Sequence, residues 1–377
     1  MKVVHMTTVH QRTDTRILIK QCKTLAKASD MSISLFVQDG REDCVTHHVR
    51  TVGVGKVSGG RLRRATQGAW RMYRAVRKAK PTLAHFHDPE LIPVGVALKL
   101  SRIKVIYDVH EDLRRQIRTK HWIPKWVRPI VARGAACIEW VAGRAFDAIV
   151  PATPKIAGHF PAAKTIVVQN FPLLDELVVP EAMAYAQRPK AFAYVGGISE
   201  ERGIFQILEA VALVNGRGGA RLELAGAFIP DSLKTRAAAS DGWSATHFHG
   251  WTSRKELSGI LANVRAGLVV LHPNGRYEDA YPVKMFEYMA AGLPVIASDF
   301  PLWRQIIEDS RCGLLVDPLD PKAVADAMQW ILEHPEEAEK MGQRGRMAVV
   351  EKYNWETEAK KLIALYERLL PSTTVSA

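Results

Sequence analysis

Two carboxylates eight residues apart, with a lysine between them, are the residues of this chain best placed to do chemistry together. Asp279 and Glu287 bracket the run Tyr277-Glu278-Asp279-Ala280-Tyr281-Pro282-Val283-Lys284-Met285-Phe286-Glu287, which reads as a loop entering a helix. Gly292-Leu293-Pro294 then turns into an apolar strand. The spacing puts Asp279 in the loop and Glu287 inside the helix. Backbone amides of the first helical turn, between Tyr281 and Lys284, lack intrahelical partners and can bind an anion. Lys284 adds positive charge where the helix dipole disfavours it, a conflict that an anionic ligand resolves. A carboxylate pair alone is more often solvated surface, so the surrounding residues must decide.

A second group lies upstream, in Tyr194-Val195-Gly196-Gly197-Ile198-Ser199-Glu200-Glu201-Arg202-Gly203. A strand ends in Gly196 and Gly197, and a helix starts near Gly203. Such a turn lets backbone approach a diphosphate, and Arg202 offers a bidentate fork to phosphate oxygens. The plainer reading is an ordinary strand-to-helix turn. Trp251, in Phe248-His249-Gly250-Trp251-Thr252, either borders a ligand or packs in the core. In the first half, His87 and Asp88 follow one apolar run, and His110 follows another. Both places are carboxyl ends of expected strands, where open α/β sheets bind ligands. Asp14 and Arg16 follow the first strand, where they meet a ligand or, for Asp14, cap the next helix.

The elements that must position these residues alternate between β-branched runs and helix-period stretches, which predicts βα units and parallel sheets. Strands are expected at Lys2–Met6, Ser32–Val37, Leu83–Phe86, Val105–Tyr107, Ala148–Val150 and Thr165–Val168. Helices are expected at Asp14–Ala28, Leu62–Lys80 and Trp126–Ala145. After a Pro- and Glu-rich stretch from Phe171 to Pro189 the pattern restarts. Strands Ala191–Val195, Arg221–Ala225, Ala266–Leu271 and Pro294–Ala297 accompany helices Gly203–Asn215 and Val283–Ala291. The tail Trp355–Leu370 is amphipathic.

The segment from Tyr277 to Ser298 resembles the carboxylate-x7-carboxylate signature of retaining glycosyltransferases of family four, continuing as Ala-x-Gly-x-Pro-Val-Ile-Ala-Ser. The resemblance implies an α/β chain of GT-B type, two Rossmann-like doubly wound domains facing a central cleft. They would occupy 1–178 on the acceptor side and 191–354 on the nucleotide-sugar side, with a linker at 179–190 and a helix at 355–377 crossing back. It implies that Glu287 holds the nucleotide ribose and Asp279 contacts the transferred sugar. Tyr281, Pro282, Val283 and Lys284 would approach sugar and phosphate, and Gly196, Gly197 and Arg202 would form the donor loop, with Trp251 beside the base. His110 would approach the donor sugar, with His87 and Asp88 lining the cleft nearby and Asp14 and Arg16 near acceptor or donor phosphate. The chain departs from the family pattern at Asp279 and Ala280, which stand for Glu and Gly, and at Gly197, which stands for Arg. The donor implied is a nucleotide-diphosphate sugar, with no cofactor, no metal and retention of anomeric configuration. The chain also has no Asp-x-Asp, the metal-diphosphate device of the other large glycosyltransferase fold.

Composition narrows the partners. The 377 residues carry a net charge of +13, and through residue 180 Lys and Arg outnumber Asp and Glu by 30 to 14. Lys56 to Pro81 and Leu113 to Ile138 are basic and free of Asp and Glu, and the second carries Trp122 and Trp126. These are solvated faces or an anionic membrane surface. No nucleic-acid-binding motif is visible, so nucleic acid is not expected as a partner. Four scattered cysteines fit a reducing compartment. No signal-peptide core or 18-residue apolar run appears, so a cytoplasmic protein is expected, peripheral on the inner face of the plasma membrane. The acceptor expected is a glycan or lipid-linked precursor. Competing readings are a non-catalytic sugar-nucleotide-binding scaffold, which the departures at Gly197 and Asp279 favour, and a nucleotide-sugar epimerase on the same architecture.

Overall fold

A computed structural model of the protein describes residues 1–28, 30–60, 63–119, 123–176, 183–275 and 277–370. Trp122, Leu62 and the start of the expected linker lie outside the described residues. The chain divides into two compact units, one of Met1–Asn170 with the residues from Thr357 onward, the other of Phe171–Glu356.

The first unit holds seven strands: β1 (Lys2–Thr7), β2 (Ser32–Val37), β3 (Cys44–Thr46), β4 (Val49–Gly53), β5 (Leu83–Phe86), β6 (Lys104–Val109) and β7 (Ala148–Pro151). Their order is β3-β4-β2-β1-β5-β6-β7, parallel except for β3 against β4. The strand order reverses between β2 and β5 on either side of β1, so the carboxyl ends of β1 and β5 form the crevice where such sheets bind ligands. Both faces are covered, and Val4, Met6, Phe86, Val105, Tyr107 and Ile149 join one apolar cluster. The chain enters its first helix at Asp14, whose carboxylate accepts from the Ile17 amide at 3.0 Å. That helix is π-wound over Thr15–Cys22 and continues as α-helix through Ala28. The expected strand at Thr165–Val168 is not formed. The run lies along β7, with the Ile166 and Val168 amides donating to the Ile149 and Pro151 carbonyls, but only a single bridge forms, and the Val168 carbonyl goes to the Arg16 guanidinium, 2.9 Å away. The helix Trp355–Leu369 closes this unit: Tyr366 is fully buried against His5 and His85, and the Lys104 ammonium donates to the Leu369 carbonyl.

The second unit is a six-stranded parallel sheet of β8 (Ala191–Val195), β9 (Arg221–Ala225), β10 (Thr246–Gly250), β11 (Ala266–Val269), β12 (Val295–Ser298) and β13 (Gly313–Val316), in the order β10-β9-β8-β11-β12-β13. Here the reversal falls between β8 and β11, and Gly196-Gly197 leaves the carboxyl end of β8 at that point. The residues just before β8 are packed rather than loose. Tyr185 is buried and its hydroxyl donates to the Arg265 carbonyl at 2.6 Å.

Candidate functional site

In the second unit the helix Val283–Ala290 is fixed by its apolar face. Met285, Phe286, Tyr288 and Met289 are fully buried, each worth about 1.5–3 kcal/mol of burial. The Tyr288 hydroxyl accepts from the Val195 amide at 2.9 Å, tying this helix to the end of β8. Pro282 precedes the helix with no side-chain acceptor for its first amides, and no acidic residue stands in the first turn. The loop before it is held by Trp303, whose indole N–H donates to the Ala280 carbonyl at 2.8 Å. Tyr281 packs edge-on to Phe171, and Asp279 sits half-buried in the same loop.

Lys284 is the informative residue. Its Nζ is buried and has no hydrogen-bond acceptor among the described residues. It lies 3.6 Å from the centroid of the Tyr194 ring. Burial lowers its pKa well below that of an ordinary lysine, and the nearby Arg202 pushes the same way, against Glu287. The same turn accepts Arg202, whose Nη1 donates to the Gly197 carbonyl at 3.3 Å. Two cations therefore converge on Gly196-Gly197, at the switch point of the sheet. The turn itself demands small residues. A Cβ on Gly226, at φ +142°, would stand 1.9 Å from the Gly196 oxygen. A Cβ on Gly197 would come within 3.2 Å of Arg202 Nη1, so a larger residue there would crowd the one arginine in place.

Glu287 is nearly buried, and one carboxylate oxygen accepts from Arg254 Nη1 at 2.5 Å. Arg254 starts the helix Arg254–Ala262, whose entry is locked by a capping box between Ser253 and Glu256. Sequence reading passed over Arg254; its only signal was a basic residue just after the Trp251 segment. Trp251 itself is 82% exposed, so it is not core packing. Gly196, Gly197, Arg202, Lys284 and Glu287 thus belong to one neighbourhood of this unit, linked by Tyr194, Tyr288 and Lys284.

The residues expected on the acceptor side lie in the first unit, around buried Asp108. Its Oδ1 accepts from Arg16 Nη2 at 2.7 Å and its Oδ2 from Gln21 Nε2 at 2.6 Å. Complete burial pushes its carboxyl up, but Arg16, His110 and His87 outweigh that and hold it well below the usual range. Arg16 is thereby a buried strut, 5% exposed, rather than a ligand for a phosphate in solvent. Asp14 caps its helix and also meets His10 Nδ1 at 3.1 Å. Burial pushes its carboxyl up, but His10 and the Ile17 amide outweigh that and bring it down to about 2. Asp88 is another strut, accepting from the Thr7 hydroxyl at 2.8 Å and the Thr8 amide at 2.7 Å.

The direction of the histidine network follows from Asp108. A carboxylate cannot face a lone pair, so His87 Nδ1, 3.2 Å from Asp108 Oδ2, must donate. His87 Nε2 then accepts from His5 Nδ1 at 3.1 Å, and His5 Nε2 accepts from the Tyr366 hydroxyl at 3.0 Å. Tyr366 in turn accepts from His85 Nδ1 at 2.7 Å, which leaves His85 Nε2 as the buried atom without a partner. Burial lowers the pKa of His5, His85 and His87, in keeping with a wire of neutral rings. His110 stands at the outer end, with Nε2 3.3 Å from Asp108 Oδ2 and its side chain 16% exposed. Its Nε2 also lies 3.2 Å from His87 Nδ1, so the two rings meet at the same carboxylate oxygen. Sequence reading named His87, Asp88 and His110 but gave no role to Asp108, whose partners Arg16, Gln21 and His87 are remote in sequence, or to His5 and Tyr366.

Two family models match this chain in tandem: a glycosyl transferase 4-like domain over residues 20–170 and glycosyl transferases group 1 over residues 180–348. The first span holds Asp108 and His110, and the second holds Arg202, Lys284 and Glu287. The chain belongs to glycosyltransferase family four. Among its relatives, the MMP alpha-(1→4)-mannosyltransferase of Mycolicibacterium hassiacum is 22% identical over 302 residues, 75% of this chain and 70% of that protein. The phosphatidyl-myo-inositol mannosyltransferase of Mycobacterium leprae is 27% identical over 195 residues, and the match spans about half of either protein, 51% and 50%. Among solved structures, sucrose-phosphate synthase from Thermosynechococcus elongatus has a TM-score of 0.77 at 19% identity, covering 98% of this chain and 99% of that one. HepE from Anabaena, in complex with UDP-glucose, has a TM-score of 0.73 at 12% identity, covering 98% and 100%. This family-four glycosyltransferase has the GT-B fold, with a Rossmann-like sheet in each unit.

Proposed function

We propose that this glycosyltransferase is a retaining enzyme that moves a sugar from a nucleoside-diphosphate sugar to a glycan or lipid-linked acceptor at an anionic membrane surface. The observation that carries the reading is the buried Lys284 ammonium, left without an acceptor beside Arg202 and the Gly196-Gly197 turn. A diphosphate would supply the missing acceptor and neutralise both cations. In this reading Glu287 exchanges part of its bond to Arg254 for the ribose hydroxyls, and Trp251 offers an exposed ring to the base. Asp279 and the amides after Tyr281, Pro282 and Val283 take the transferred sugar. His110, held beside Asp108, approaches a hydroxyl of the transferred sugar.

The reaction breaks the bond from the anomeric carbon to the diphosphate and forms one from the same face to the acceptor oxygen. The departing phosphate oxygen takes the acceptor's proton, so no separate base is assigned. Charge on the leaving group is met by Arg202 and Lys284, and the proposal gives a metal ion no part in the transfer. The relative named phosphatidyl-myo-inositol mannosyltransferase supports a lipid-linked acceptor.

Docking at the membrane, which the proposal puts on the cytoplasmic side, is supported by the helix Arg128–Ala145 and the turn before it. Trp126, Ile130, Ile138, Trp140 and Val141 are exposed, interspersed with exposed Lys125, Arg133 and Arg144. Among the described residues no helix is long and apolar enough to cross a membrane.

The test is a thermal-shift screen against UDP, GDP, ADP, dTDP and CMP, repeated with Glu287→Ala. Stabilisation by one nucleoside diphosphate that disappears in the variant supports the reading. Turnover with that donor, followed by NMR of the anomeric product, then decides retention. Tight donor binding with no turnover on any lipid extract would favour the scaffold reading.

A further inference from the structure

At the far edge of the second sheet, three metal-ligating side chains converge on one face, and no part of the transfer reaction uses them. Glu223 on β9 stands in register opposite His247 on the edge strand β10, and His249 follows two residues later on the same side. The register is pinned by Phe248 between them, which turns to the opposite face and packs 5.4 Å from Phe228 and 6.0 Å from Trp243. Both imidazoles reach the same carboxylate oxygen. His247 Nδ1 lies 3.2 Å from Glu223 Oε2, His249 Nε2 lies 2.7 Å from it, and the three ligand atoms all fall within 4.8 Å of one another.

We propose that Glu223, His247 and His249 form a binding site for a divalent transition-metal ion of the zinc, nickel or copper class. Two imidazole nitrogens and one carboxylate oxygen are the donor set that these borderline ions prefer over calcium or magnesium. Bonds of about 2.0–2.2 Å from a tetrahedral centre hold ligand atoms roughly 3.3 Å apart, so the ion fits with only a small opening of the cluster. Glu223 is 5% exposed and its Oε1 is held by Arg221 Nε at 2.6 Å, which orients the carboxylate from behind. His247 is 65% exposed, so the remaining coordination position faces solvent. The ion clasps edge strand β10 to β9, directly before Gly250 and Trp251. The other cluster of ligand-type residues, His85, His87 and Asp108, is a poorer host, because the Arg16 guanidinium already occupies the Asp108 carboxylate.

The test uses the full chain, with any affinity tag removed. Equilibrium dialysis against zinc chloride measures stoichiometry, and cobalt chloride gives a visible absorption band that reports ligand geometry. The expected result is one equivalent bound by wild type and lost in His247→Ala, an exposed position that does not disturb the core. His249→Gln should weaken binding at least tenfold. Zinc should raise the melting temperature of wild type and leave that of His247→Ala unchanged. Equal binding by wild type and His247→Ala, or no binding above micromolar zinc, overturns the proposal and leaves Glu223 as an ion-pair partner of the two histidines.

Discussion

Replacing Lys284 with methionine sets the needs of the free protein against those of the donor complex. In the free protein the ammonium is buried with no acceptor among the described residues, and its pKa is lowered by burial and by Arg202. Stranding such a group costs about 1–3 kcal/mol, and methionine fills similar space with nothing to solvate. The ring of Tyr194, at 3.6 Å, offsets up to ~2 kcal/mol while the amine is charged. The depressed pKa weakens that offset, so Lys284→Met should gain ~1 kcal/mol without ligand, read as roughly 2–4 °C in melting temperature. A base held below its ordinary pKa binds fewer protons when folded than when unfolded. The cost it imposes therefore shrinks as pH rises, and the gain from Lys284→Met should narrow toward alkaline pH. With ligand the sign reverses. A hydrogen bond from a charged donor is worth about 1.5–3 kcal/mol, so the variant should bind its nucleoside diphosphate about 10- to 150-fold more weakly by calorimetry. A variant that melts below wild type and still binds the diphosphate with undiminished affinity would refute the reasoning, leaving the lysine as a core spacer.

Other outcomes follow from the same geometry. Burial raises the Glu139 carboxyl to about 7, with Asp112 adding to the rise, and Arg114 and the Tyr107 hydroxyl opposing it. A carboxyl with a raised folded pKa destabilises as pH climbs from about 4.5 through about 7, by up to ~3 kcal/mol. Glu139→Gln should therefore flatten that slope in urea denaturation and be more stable than wild type at pH 8. Tyr366→Phe removes the hydroxyl shared by His85 and His5, and should cost about 1–3 kcal/mol in the same assay; an unchanged midpoint would mean that water replaces it freely. Exchanging Trp126 and Ile130 for serine should weaken binding to anionic vesicles at least tenfold at low salt, from about 1.5–3 kcal/mol lost per side chain. Sugar transfer should survive EDTA, and its abolition would count against charge neutralisation by Arg202 and Lys284 alone.

Local patterning carried most of this fold, and chemistry remote in sequence did not. Strands Ser32–Val37, Leu83–Phe86, Ala191–Val195 and Arg221–Ala225 have the bounds their β-branched and apolar runs predict. Strands Thr246–Gly250 and Gly313–Val316 were not read as such, because His247, His249 and Gly313 break the apolar pattern that marks a buried strand. Thr165–Val168 falls short for the opposite reason: the run is β-like and its Ile166 and Val168 amides reach carbonyls of β7, but the Val168 carbonyl goes to Arg16 and the pairing stays a single bridge. At the site, Lys284 and Glu287 were legible because the loop-to-helix transition is written in adjacent residues. Asp108, two residues before His110, is given no role by the sequence, since nothing local reveals that Arg16, Gln21, His87 and His110 all converge on it. Asp14 carried two readings, and its bond to the Ile17 amide establishes the capping one.

The path of the chain through its two units also sets an order of assembly. The second unit is uninterrupted from Phe171 to Glu356, whereas the first is completed only by residues from Thr357 onward. On the ribosome, β1 to β7 emerge first, yet His5 and His85 lack the Tyr366 hydroxyl until the intervening unit has been translated. At about 5–20 residues per second, that interval is on the order of ten to forty seconds. The later unit can mature while the earlier one waits with its buried polar groups unsatisfied. A chain cut short before this helix would leave His5 and His85 without the Tyr366 hydroxyl and the first unit without its closing element.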